Sequence, residues 1–123
     1  MSLTEFVNGL FDRLFFGGDK AAGIAAFENE IASDAVFDLN GKTASSTEFF
    51  EAIENFHGTS KVKLNSIQDL AVLPSGSGGV VAQVSKFTVT TGGSTKEQST
   101  VRIVKVEERG GKKVMTSLVE VQA

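Results

Sequence analysis

One histidine, no cysteine and no tyrosine limit the chemistry open to this 123-residue chain before folding is considered. Thiolate ligands, disulfides and a cysteine nucleophile are excluded. A lone imidazole leaves a transition-metal site unexpected, and no cofactor motif is present. Ten phenylalanines carry all the aromatic area, and a phenyl ring offers no polar handle for an oxyanion. Among the groups left for proton transfer are the carboxylates and His57.

His57 closes the stretch SSTEFFEAIENFHG. On a helical wheel Phe49, Ile53 and Phe56 centre the apolar face, and His57 lies at its edge beside Phe50. Glu54, one turn back, is placed to orient it, so His57 can reach a pocket rim. A helix C-terminus favours the protonated ring by about 0.3–1 kcal/mol. The same position equally suits a helix-terminating histidine. Asp38 lies in ASDAVFDLNG, where alternation sets it on the face opposite Phe37 and Leu39. Five more polar candidates interrupt apolar strands: Gln83, Ser85 and Lys86 in one, Arg102 in the next, Glu120 in the last. Each can line an apolar pocket, since such sites carry few polar groups, or can face solvent. Glu97, Gln98 and Ser99 are expected to be exposed.

The elements that must position these groups follow from period and punctuation. Ser2 with Glu5 forms a capping box for a helix over Leu3 to Phe16, with Leu3, Phe6, Val7, Leu10, Phe11 and Leu14 in one stripe. Asp19 caps a second helix over Ala21 to Ile31, with Ile24, Phe27 and Ile31 inward. A short strand through Ala35, Phe37 and Leu39 ends at Asn40-Gly41. Ser45 with Glu48 caps a third helix, which Gly58 ends. Four strands follow, Lys61 to Leu73, Val80 to Thr91, Lys96 to Glu108 and Lys112 to Gln122. Glycine-rich turns join them into an antiparallel meander. The order α-α-β-α-β-β-β-β in one domain, 1–123, is that of an α+β protein.

The late strands are apolar on both faces. Val101 and Ile103 oppose Val104 and Val106, and Val114 and Leu118 oppose Met115, Val119 and Val121. A half-exposed strand alternates more cleanly, so a second copy of the chain is expected on the outer sheet face, making a homodimer. A net charge of −3 and a pI near 5.1 argue against a nucleic-acid partner. Arg109, Lys112 and Lys113 form a solvated hairpin tip. No apolar run reaches membrane length and no signal peptide is recognisable, so a cytoplasmic protein with no membrane partner is expected.

This order of elements, with IASDAVFDLNGKTASSTEFFEAIENFHG and the closing VRIVKVEERGGKKVMTSLVEV, resembles the nuclear transport factor 2-like superfamily, in its SnoaL-like and ketosteroid-isomerase-like branch. The resemblance covers nearly the whole chain. It implies a cystatin-like cone: three N-terminal helices against a strongly curved, mostly antiparallel sheet, with an apolar pocket between. It further implies a small apolar ligand and, in an enzyme, cofactor-independent isomerase, cyclase or dehydratase chemistry by general acid–base catalysis. Asp38 then corresponds to the general base, and an Asp38–His57 pair resembles that of dehydratase-like relatives. Phe11, Phe15, Phe37, Phe50, Phe56, Gln83, Ser85, Arg102 and Glu120 are the expected ligand contacts. Other members with this cone are non-catalytic dimerisation or protein-binding modules.

Overall fold

The structure, a computed structural model, describes residues 2–122. Helix α1 spans Leu3–Phe11 behind the capping box of Ser2 and Glu5, and its Leu3, Phe6, Val7, Leu10 and Phe11 are all buried. Each contributes about 1.5–3 kcal/mol of burial before entropy is counted. The α-helix does not run on to Phe16 as the apolar stripe suggests. Residues Asp12–Phe16 form one π turn, with Gly17 N donating to Asp12 O at 2.6 Å. The wider turn directs both Phe15 and Phe16 toward the concave side of the sheet.

Helix α2 spans Lys20–Glu30, capped by the Asp19 side chain on the amides of Ala21 and Ala22. Its best-buried residues are Gly23 and Ala26, with Ile24 and Phe27 half-buried. Ile31 belongs instead to β1 (Ile31–Leu39), which follows without a loop. Asn40 and Gly41, at φ 55° and 82°, make the two-residue turn into β2 (Lys42–Ala44), the geometry that joins antiparallel strands tightly. Helix α3 spans Ser46–Thr59 behind its own capping box. It passes through Gly58 and ends one residue later than the glycine suggests.

The four long strands are β3 (Lys61–Ser75), β4 (Gly78–Thr91), β5 (Ser94–Arg109) and β6 (Lys112–Gln122). The open six-stranded sheet runs β2-β1-β6-β5-β4-β3. All neighbours are antiparallel except β1 and β6. The chain is therefore α+β, with three helices on one face of a mixed sheet.

Register shifts on β3 and near Lys105–Val106 bend the sheet over α1. The second shift corrects the simple alternation along β6. Val106 pairs with Met115 while Lys105 pairs with Ser117, so Thr116 is the extra residue. Met115 therefore turns into the core beside Leu118, away from Val119 and Val121.

Candidate functional site

A row of polar side chains crosses the concave face at one level. Asp69 on β3 pairs with Gln83 on β4, Gln83 with Arg102 on β5, and Arg102 with Glu120 on β6. Cross-strand partners lie side by side on one face, so Gln83, Arg102 and Glu120, separate interruptions in the sequence, join Asp69 in a single band. Gln83 is fully buried. Its amide nitrogen donates to Asn8 of α1 at 2.6 Å and to Asp69 at 2.9 Å, and its oxygen accepts from Arg102 Nε at 3.2 Å.

Arg102 is 2% exposed. Its guanidinium carbon stands 4.0 Å from the centre of the Phe11 ring, a cation–π arrangement. Arg102 Nη2 is buried and has no hydrogen-bond partner among the described residues. Burial pushes the guanidinium down to about 10, against the opposing pull of Glu120, so it stays charged at neutral pH. Glu120 makes no side-chain hydrogen bond among the described residues. Burial holds its carboxyl above the ordinary value, and the charge of Arg102 offsets this only in part. Ser85 Oγ, one step along β4 from Gln83 and opposite Thr100, is likewise buried without a partner.

Arg102 and Glu120 form the polar floor of a cavity of about 290 Å³. Its apolar wall includes Phe15 and Phe16 of the π turn, Phe49, Ala52 and Phe56 of α3, and Phe87 of β4. The rings hold one another in place. Phe15 meets Phe56 edge-on at 5.1 Å and Phe49 at 5.9 Å, while Phe16 leans on Phe87 at 5.5 Å. Ligand pockets are commonly of this kind, concave and apolar with a few convergent polar groups.

Of the expected contacts, Phe15, Phe56, Arg102 and Glu120 line this cavity. Phe11 lies beneath the guanidinium, and Gln83 and Ser85 sit one strand farther in, all fully buried. Phe37 stacks on Phe49 at 4.4 Å inside the core, and Phe50 packs on Phe27 at 5.2 Å. None of these five borders the open space. Gln98, expected in solvent, is half-buried and lines the cavity with Thr100. The signal for it was present: Gln98, Thr100, Arg102, Val104 and Val106 share one face by alternation.

Asp38 and His57 are not brought together. Asp38 is half-exposed on β1 beside Val119, on the face turned away from Phe37 and the helices. His57 Nε2 donates to the Leu14 carbonyl at 2.7 Å, taking up an acceptor at the end of the π turn that has no helical partner. That bond, rather than Glu54, fixes the ring. His57 borders a separate depression behind Phe15, Phe16 and Phe56.

No protein-family model and no curated protein matches the chain. Solved structures do. A ketosteroid isomerase-like protein from Erwinia carotovora atroseptica SCRI1043 superposes with a TM-score of 0.75 at 16% identity, over 98% of this chain and 93% of that one. An NTF2-like protein from Cytophaga hutchinsonii ATCC 33406 matches over the full length of both chains, with a TM-score of 0.70 at 12% identity. A Xanthomonas campestris protein described as a calcium/calmodulin dependent protein kinase II association domain gives 0.70 at 18% identity, over 98% and 84%. The chain has the fold of the nuclear transport factor 2-like proteins. Among the described residues no helix is long and apolar enough to cross a membrane.

Proposed function

We propose that this chain binds a small, mainly apolar molecule in the phenylalanine-walled cavity, with the polar end of the ligand on the Arg102–Glu120 floor. The observation that carries this reading is the buried guanidinium with an unpartnered nitrogen beneath an apolar hollow. An orphaned charged donor costs free energy that an acceptor on a ligand recovers. Arg102 and Glu120 are the two ionisable residues of the lining. Any isomerase, cyclase or dehydratase step by acid–base chemistry therefore runs through Glu120, with Arg102 facing the developing negative charge. Asp38 and His57 stand outside that space.

Binding of naphthalene-2-carboxylate, read by its own fluorescence, tests the cavity. The protein has no tryptophan or tyrosine to interfere. Saturable binding to the wild type and at least tenfold weaker binding to Ala52→Phe, which fills the space from α3, is the expected result. Equal binding to both proteins overturns the reading.

A second reading, a dimerising module, is favoured by the other face of the sheet. Val36, Val101, Ile103, Val119 and Val121 are each at least 37% exposed there. Val101 pairs with Val121 and Ile103 with Val119, making one continuous apolar patch of the kind that marks an interface. Two copies packed through this face make a homodimer and leave both cavities open. Association-domain proteins among the structural neighbours support assembly of this kind.

A further inference from the structure

We propose that the polar end of the ligand is a carboxylate, so that the cavity selects small apolar acids over neutral molecules of the same shape. This rests on the cavity reading above and adds the charge of the occupant. The unpartnered buried cation of the floor decides it. Arg102 is the one cation lining the cavity. Its Nε is committed to Gln83, whose amide nitrogen in turn donates to Asp69 on the far side. Nη2 is left without an acceptor among the described residues.

Glu120 lies next to Arg102 in register, yet no ion pair forms between them within 4.0 Å. Burial holds the Glu120 carboxyl above its ordinary value, and the charge of Arg102 offsets this only in part. The elements packed around the pair add no other titratable group to the lining. The π turn presents Phe15 and Phe16, α3 presents Phe49, Ala52, Phe56 and its cap residue Ser60, and β1 presents Leu39. From β4 come Phe87 and Val89, and the neighbours on β5 and β6 are Gln98, Thr100 and Gln122. Asp69 is held beyond Gln83, outside the lining.

Arg102 is therefore a buried cation with an unpartnered donor and, among the described residues, no carboxylate within ion-pair distance. The free Nη2 donor of a single cation suits the single charge of a carboxylate, whereas a phosphate dianion brings a second charge that nothing here matches. The phenyl walls require the rest of the molecule to be apolar.

The test compares naphthalene-2-carboxylate with 2-naphthylmethanol, an uncharged molecule of similar shape. The wild type is expected to bind the acid at least tenfold more tightly, and Arg102→Met to lose that preference. Because Arg102→Met replaces a buried charge, its folding is checked by circular dichroism. A second readout needs no variant at the site. The chain has three arginines, Arg13, Arg102 and Arg109, so the side-chain Nε–H resonances can be assigned with Arg13→Lys and Arg109→Lys. The Arg102 resonance is expected to shift with the acid and not with the alcohol. Equal binding of the two compounds, or a preference kept by Arg102→Met, overturns the carboxylate assignment and leaves the cavity reading standing. Binding of neither overturns both.

Discussion

Glu120 and Arg102 are each adjusted by the same surroundings, and the sign of that adjustment is measurable. A carboxyl whose folded value is raised opposes folding once the unfolded group ionises, because the native state holds a proton that the unfolded chain releases. The penalty begins as pH rises past the ordinary glutamate value of 4.5 and is complete above the raised folded value. Glu120→Gln removes this titration. Its stability relative to wild type is therefore expected to improve steadily from about pH 4 toward neutrality, measured by urea unfolding across that range. A difference that does not change with pH contradicts the burial of Glu120. At this scale the sequence was informative about residue type: Arg102, Glu120 and Gln83 stand out as polar breaks in apolar strands. It was silent on Asp38, because alternation fixes relative faces along β1 and says nothing of which face meets the helices.

Helix α2, the π turn before it and α3 meet at Gly23. A Cβ at this position would lie 3.0 Å from His57 Nε2, 3.1 Å from the Arg13 carbonyl and 3.2 Å from the Leu14 carbonyl. Two of the three neighbours are backbone and cannot swing aside. Replacing glycine by alanine inside an exposed helix gains about 1 kcal/mol. Here the crowding acts in the opposite direction by about 1–3 kcal/mol. Gly23→Ala is expected to lower stability by up to about 2 kcal/mol net, checked by chemical denaturation, and a more stable variant contradicts this packing. Arg13 adds a second tie by reaching Glu30 at the end of α2 with two nitrogens, at 2.6 to 3.2 Å. The capping boxes at Ser2 and Ser45 were legible because their signature is local. The π turn was not, since Leu14 continues the apolar stripe and a change of hydrogen-bond partner leaves that spacing intact. Nor was β2, three residues long and paired only with β1.

The molecule presents two contrasting surfaces, a concave face walled by phenylalanines and an outer face of exposed valines and Ile103. Ile103→Lys, in the middle of the outer patch, is expected to convert a dimer into a monomer with little change in the fold of each copy. Mass in solution by light scattering decides this, and a monomeric wild type at micromolar concentration contradicts the dimer. The α+β class and the meander followed from the sequence because each long strand is joined to the next by a short glycine turn. The parallel pairing of β1 with β6 brings together segments about eighty residues apart, and no local pattern announces it. That pairing also sets Leu39 beside Glu120 and so closes the cavity wall. The most direct measurement is a crystal structure grown with naphthalene-2-carboxylate. The account predicts its rings among Phe15, Phe49, Phe56 and Phe87 and its carboxylate against the guanidinium of Arg102. A cavity collapsed under its own phenylalanines, or the compound lodged only on the outer face, would contradict it.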